Sequence, residues 1–151
     1  MKKIILVIFL IFFSSKIHSI IYPIEPKYAS LKKDRVFARK NASFHAQIKY
    51  IYQKKNLPIL IVDEHDVWKK IIDIDNHWGW VHTSMISNRK TFINREDQSL
   101  FKYKEKNIIK AIVKKGVVGK IIKCEDLICK VKVKSFTGWV QKDYLWGVKK
   151  N

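Results

Sequence analysis

Two related segments of about 60 residues follow one another in the sequence, and this internal repeat limits the possible folds more than any other feature. Gly-Trp-Val occurs at residues 79–81, within "HWGWVHTSMI", and again at residues 138–140, within "TGWVQKDYLW". Upstream, "KKNLPILIVDEHDVWKKI" from Lys54 aligns with "KKGVVGKIIKCEDLICKV" from Lys114. Two copies are too few for a solenoid array. The repeat therefore predicts two small domains in tandem.

Each copy is rich in short runs of β-branched and aromatic residues separated by turn formers, a pattern typical of β-strands. Asn56 and Gly116 take equivalent turn positions, where both residue types tolerate a left-handed backbone. "SMI" and "DYL" are predicted to form single 3₁₀ turns. Five closely spaced strands in each copy predict an all-β fold of two small barrels. The strands are predicted at residues 36–39, 48–52, 57–62, 67–72, 79–82, 100–102, 108–113, 117–123, 129–133 and 138–141.

The motifs, in this order, resemble the bacterial SH3-like (SH3b) domain family in its tandem, exported form. The resemblance rests on "KNLPILIVDEHDVWKKI" and "HWGWVHTSMISNRK", and on "CEDLICKVKVKSFTGWVQKDYLWGV" in the second copy. It implies two SH3-like barrels, at residues 27–90 and 91–148, and by analogy an association with the cell wall. One departure is the first loop, "RKNASFH" at residues 39–45, which lacks the Gly and Pro often found there.

The N-terminus has the layout of a secretory signal peptide, predicted at residues 1–19. Lys2 and Lys3 precede ten unbroken apolar residues, 4–13, and small serines follow. The apolar run is shorter than the roughly 20 residues that span a bilayer. We therefore expect a periplasmic or secreted bacterial protein with no stable membrane span after cleavage. A retained anchor stays open as an alternative, because Ile17 is not the small residue expected before a cut after Ser19.

The chain is strongly basic, with 31 Lys and Arg against 13 acidic residues and a net charge of +18. Two interpretations stay open: an anionic partner, or the Lys and Ile supplied by an A+T-rich genome. An exported protein meets peptidoglycan carboxylates, acidic glycans and headgroups rather than nucleic acid. Segments 49–55 and 102–115 interleave Lys with apolar residues, which on strands predicts Lys on one face and apolar side chains on the other. Lys54 and Lys55 are therefore candidate binding residues.

The two cysteines, Cys124 and Cys129, are predicted to form a disulfide. An exported protein usually bonds such a pair, and "EDLI" between them predicts a hairpin loop of four residues across which they face each other. A zinc site is disfavoured because no His lies nearby in sequence, and a redox pair because the spacing is not Cys-x-x-Cys. We expect no metal and no cofactor.

The tryptophans offer both structural and binding roles. Gly79 and Gly138 are predicted to adopt a positive φ and to let strands approach closely. Trp80 and Trp139 then either cap the ends of their barrels or stack on a glycan or an apolar side chain. Trp78 is the stronger candidate for an exposed contact. Trp68, aligned with Ile128, is predicted in a core, and Trp146 is predicted to pack the tail against the body.

No catalytic motif is present, and we expect no enzyme activity. Two acidic groups are predicted as solvated hairpin tips, with a cation at the second group as an alternative: Asp63, Glu64 and Asp66, and then Asp73 and Asp75. The predicted function is a binding or scaffold module of the cell envelope that recognises peptidoglycan or an envelope protein. The alternative is a regulatory subunit that docks an envelope enzyme or complex through a sheet edge or the interdomain groove.

Overall fold

A computed structural model describes residues 23–106 and 108–149 and contains one β-sheet from each repeat. The predicted signal peptide, residues 1–19, lies outside the described residues. Over the described ranges, no helix has the length and apolar character needed to cross a membrane. The predicted all-β fold with two small domains is confirmed.

The first sheet has the strand order β3-β2-β6-β5-β4-β1-β7, with all neighbouring strands antiparallel. A 3₁₀ turn, Thr83–Met85, precedes the last strand. The strands are β1 (Lys27–Leu31), β2 (Val36–Arg39), β3 (Ile48–Tyr52), β4 (Pro58–His65), β5 (Trp68–Ile72), β6 (Trp78–His82) and β7 (Ile86–Ser87).

The second sheet has the order β10-β9-β13-β12-β11-β8-β14, which is the first order with seven added to every strand number. Its 3₁₀ turn, Lys142–Tyr144, takes the same place as the first. The repeat seen in the sequence is therefore a repeat of topology. The strands are β8 (Thr91–Asn94), β9 (Gln98–Phe101), β10 (Ile109–Val113), β11 (Val118–Glu125), β12 (Ile128–Val133), β13 (Phe136–Gln141) and β14 (Leu145–Trp146).

Each domain has its own apolar core, built from the inward residues of its strands. Residues at aligned positions of the two copies occupy equivalent places in the two cores. Ile71 and Val81 are buried in the first core, and Val131 and Val140 are buried in the second. The predicted left-handed turns are confirmed, with φ of 63° at Asn56 and 78° at Gly116.

Gly79 and Gly138 are needed for close packing rather than for a special backbone conformation. The prediction of a positive φ was wrong, since neither glycine adopts one. The predicted close approach is present. A Cβ on Gly79 would lie 2.8 Å from the Cβ of Ala38, and one on Gly138 would lie 2.8 Å from the Cγ of Leu100. The repeated glycine therefore lets β6 and β13 cross over the neighbouring strand.

Four strands were not predicted: β1, β7, β8 and β14. Strand β1 has the sequence "KYASL", with little intrinsic strand preference, and it forms because it lies between β4 and β7. The prediction that Asp63 and Glu64 lie at a hairpin tip was also wrong, because both residues belong to β4, which continues to His65. The hairpin after β11 is tighter than predicted, with two turn residues, 126 and 127, in place of four.

The end of the second domain packs against the first. The rings of Trp146 and Tyr28 meet edge to face, with centroids 5.3 Å apart. Gly147, at φ 108°, brings the tail so close that a Cβ would lie 3.1 Å from the Cβ of Pro58. The tail therefore ties the two domains together, as predicted for Trp146.

The predicted disulfide joins Cys124 and Cys129, which face each other across β11 and β12 with Cα atoms 4.0 Å apart. Because the disulfide closes only a short loop, removing the disulfide should reduce the free energy of unfolding by only about 2 kcal/mol. Cys124→Ser tests this in urea unfolding, since Cys124 is exposed whereas Cys129 is in the core. The variant should match reduced wild-type protein. Equal stability of oxidised and reduced wild type would contradict the prediction.

Candidate functional site

The outward face of β5 and β6 in the first domain concentrates aromatic and basic side chains. Residues directly opposite each other on antiparallel strands share one face. The sequence alternates here so that Ile71, Gly79 and Val81 point to the core and their neighbours point outward. Three cross-strand pairs form this face: Trp68 with His82, Lys70 with Trp80, and Ile72 with Trp78.

Phe44 folds over this face from the loop at residues 39–45. Its ring meets Trp68 edge to face at 4.9 Å and lies 5.2 Å from His82, while Trp68 and His82 are 5.5 Å apart. The loop is held in place without Gly or Pro, because Arg39 Nη1 donates to the carbonyl of Ala46 at 2.7 Å. Phe44 stays 62% exposed, whereas Trp68 is 5% exposed beneath it.

These side chains form a concave site of about 260 Å³, which we call the aromatic groove. A groove of this size with an apolar floor fits a short segment of chain or a single apolar side chain. Its lining residues are Arg35, Phe37, Arg39, Phe44, Trp68, His82, Ser84 and Met85.

The polar groups of the aromatic groove lie at its rim. The guanidinium of Arg35 lies 5.2 Å from the ring centroid of Phe37, and over the described residues it has no hydrogen bond or ion pair. His82 caps the 3₁₀ turn: its Nδ1 accepts from the backbone N–H of Ser84 at 3.2 Å and lies 2.7 Å from Ser84 Oγ. The groove thus combines an apolar floor with a cation that is free to meet a carboxylate.

The second domain does not repeat this constellation. Its equivalent face is formed by Ile128 with Gln141, Lys130 with Trp139, and Lys132 with Thr137. Trp68, His82 and Trp78 are thus replaced by an aliphatic residue, an amide and a hydroxyl. Because both domains have the same topology, the difference belongs to the side chains and not to the fold.

Trp78, predicted as an exposed contact, is 40% exposed. The ammonium of Lys49 lies 3.2 Å from its ring centroid and that of Lys70 lies 5.0 Å away, so cation–π contacts occupy part of the ring. Desolvation of Lys49 and the nearby charges of Lys40 and Lys70 lower the pKa of its ammonium. Trp78 lies on the same outward face as the aromatic groove but is not among its lining residues.

The repeated tryptophans differ in accessibility. Trp80 is half-buried on the outward face, between Trp78 and His82 along β6. Trp139 is only 9% exposed and has the ammonium of Lys123 5.2 Å from its ring centroid. Of the pair, Trp80 therefore has more surface to offer a ligand. Trp68 is buried as predicted, though in contact with Phe44 and His82.

Lys54 and Lys55 lie apart from the tryptophans, in a cleft between the two domains. The predicted separation of Lys from apolar residues on strands was wrong. Ile51 is 44% exposed on β3, and Ile112 is 52% exposed on β10 beside Lys110. Each of these strands lies at the edge of its sheet and contains a bulge, so each has a neighbouring strand along one edge only. The exposed surface there is mixed rather than purely cationic.

Asp73 is a structural residue and not a solvated hairpin tip. It is buried, and its Oδ1 accepts from the backbone N–H groups of Asp75 at 3.0 Å and His77 at 2.9 Å. Its Oδ2 accepts from the hydroxyl of Tyr52 at 3.1 Å. Burial and the charge of Asp73 raise the pKa of Tyr52. Asp73, Asp75 and His77 have potential ligand atoms within 4.8 Å of one another, but turn formation accounts for this arrangement.

Removal of the Asp73 carboxylate should destabilise the first domain. Asp73→Ala leaves two backbone donors of the turn and the Tyr52 hydroxyl without their acceptor, which should cost about 2–3 kcal/mol in urea unfolding. Asp75→Ala is the matched control, because its exposed side chain has no hydrogen bond among the described residues. A similar loss in both variants would show that negative charge, and not the turn, accounts for the effect.

A family model described as "Bacterial SH3 domain" matches residues 32–88 and again residues 104–147, more than half of the chain. The protein therefore belongs to the bacterial SH3 domain family, in a tandem arrangement of two copies. This confirms the resemblance seen in the sequence.

Two solved structures are similar to the chain, NlpC2 and NlpC1 from Trichomonas vaginalis, each with 12% identity and a TM-score of 0.37. The alignments cover 81% and 80% of this chain but 48% and 45% of theirs, so the chain spans about half their length. No curated protein matches the sequence.

Sequence reasoning missed Phe44, His82 and Arg35 as site residues. The available signals were a lone Phe in a polar loop and a His directly after the first Gly-Trp-Val, where the second copy has Gln141. The alignment of Trp68 with Ile128 was a further signal of this site, because a tryptophan is larger than the aliphatic side chain at the same position of the second copy.

Proposed function

We propose that the protein is a non-enzymatic binding module of the bacterial cell envelope, and that its aromatic groove binds peptide segments of peptidoglycan. The observation that carries this proposal is the combination of Phe44 and Trp68 as an apolar floor with Arg35 at the rim. The peptides of peptidoglycan present alanine methyl groups and free carboxylates. An apolar floor and an unpaired guanidinium complement these two groups.

Membership of the bacterial SH3 domain family supports a binding role by analogy. The predicted signal peptide supports a place outside the cytoplasm. The groove supports binding more than catalysis, because His82 and Ser84 are engaged in capping a 3₁₀ turn and no carboxylate lines the groove.

Co-sedimentation with purified sacculi tests the proposal. The wild-type protein should sediment at about 20 mM salt and keep much of that binding at about 150 mM, because contacts with an apolar floor are screened far less than surface charge. Arg35→Gln should weaken binding and make it less dependent on salt. If no protein sediments with sacculi even at low salt, the proposal is wrong.

A second candidate is docking to an envelope protein through a sheet edge. Strand β10 lies at the edge of its sheet, and Ile109 and Ile112 are 59% and 52% exposed. An exposed apolar edge strand is a template for pairing with another chain. Crosslinking from position 112 in cells should then capture a protein, whereas crosslinking from position 44 should capture peptidoglycan.

A further inference from the structure

A cleft of about 460 Å³ between the two domains is lined mainly by basic side chains. We call it the basic cleft. It shares no lining residue with the aromatic groove. Six cationic side chains line it: Lys54, Lys55, Arg89, Lys120, Lys132 and Lys134.

Both domains and the segment between them build the basic cleft. Lys54 and Lys55 precede Asn56, whose positive φ turns the chain into β4. Arg89 comes from the connection between the sheets, and its Nη1 donates to Asn56 Oδ1 at 2.8 Å, which fixes it against the first domain. The second domain supplies the other three lysines from β11, from β12 and from the turn after β12.

The cations of the basic cleft have no ion-pair partner among the described residues. Across residues 23–106 and 108–149, none of the six cations has an ion pair within 4.0 Å, whereas other lysines pair with Glu64, Asp97, Glu125 and Glu25. Lys120 and Lys132 even lie directly opposite each other on β11 and β12, where like charges are unfavourable. The nearby carboxylate of Asp34 accepts from the backbone N–H of Lys55 at 3.4 Å and, among the described residues, has no ion pair. Such an arrangement favours an anionic ligand that supplies the missing charge.

The shape and composition of the cleft decide which class of anion fits. Its concave shape, about 460 Å³ in volume, matches a segment of a chain-like ligand better than a flat bilayer surface. No aromatic side chain lines it, so it lacks the stacking platform that proteins use for single-stranded nucleic acid. Six cations, mostly flexible point charges, suit a chain that carries an anion on successive units. We propose that the basic cleft binds an anionic polysaccharide, a ligand class beyond the peptide of the proposed function.

The test uses titration calorimetry with a heparin-derived hexasaccharide as the probe, a glycan that carries sulfates and carboxylates. Lys120→Gln/Lys132→Gln should reduce affinity at least about 10-fold and lower the salt dependence, because fewer counterions are released. The control is Lys40→Gln/Lys102→Gln, which removes the same charge outside the cleft and should change affinity less than about 2-fold. Equal loss in both variants would overturn the proposal in favour of diffuse charge.

Two further arms separate the alternatives. Phosphatidylglycerol vesicles and a single-stranded 12-mer DNA should compete poorly for the hexasaccharide site, and tighter binding of either would overturn the assignment to a glycan. Removing like charges that face each other should not unfold the protein, which circular dichroism of Lys120→Gln/Lys132→Gln verifies. Phe44→Ala should leave hexasaccharide binding unchanged, so this proposal and the proposed function fail independently.

Discussion

Gly138→Ala should destabilise the second domain by about 3 kcal/mol or more, a large share of the stability of a small domain. The added Cβ would lie 2.8 Å from Leu100 Cγ and closer still to the carbonyl oxygen of Phe101. That oxygen belongs to the backbone of β9, so relief requires a strand to move. Urea unfolding followed by far-ultraviolet circular dichroism measures the change.

Gly116→Asn is the control for this prediction. Gly116 has φ 78° and open space around its Cα, and the first domain has Asn56 at the equivalent position with φ 63°. The substitution should therefore change stability by less than about 1 kcal/mol. If Gly138→Ala is tolerated as well as Gly116→Asn, then the repeated glycine is not required by the strand crossing.

Phe44→Ala should reduce binding to peptidoglycan fragments about 30-fold, equivalent to about 2 kcal/mol, because it removes most of the apolar floor of the aromatic groove. Its effect on folding should be small, since the Phe44 ring is 62% exposed. Fluorescence anisotropy with a labelled muropeptide measures the affinity.

The matched control for Phe44 is Phe136→Ala in the second domain. Phe136 is 48% exposed and loses the same side-chain volume, but it lies outside the aromatic groove. Its affinity should equal that of the wild type. Equal weakening of binding in both variants would mean that exposed aromatic surface in general, and not the groove, binds the ligand.

Much of the fold followed from local patterns. The runs at residues 36–39 and 48–52 became β2 and β3 with the predicted bounds, because their β-branched and aromatic residues and their flanking turns act locally. Strand β1 was missed because pairing with β4, about 30 residues away, gives "KYASL" its strand conformation. Neither its composition nor its turns indicate that partner.

The candidate site was only partly predictable. Trp78 was identified as an exposed contact because the second copy has Thr137 at the aligned position. Lys54 and Lys55 were identified as candidate binding residues from their charge. The aromatic groove depends on how the loop at residues 39–45 folds, and without Gly or Pro that loop gives no local signal of its path. The contact of Phe44 with Trp68 joins residues 24 positions apart. The basic cleft arises only when two domains and their connection come together.

Titration of isotope-labelled protein with solubilised peptidoglycan fragments, followed by NMR, tests the central claim most directly. The claim predicts shifts of the Trp68 indole N–H and of the Phe44 and His82 amides, with little change at Ile128 and Gln141 on the equivalent face of the second domain. Shifts confined to that second face or to the β10 edge, or no shift at millimolar fragment, would contradict it.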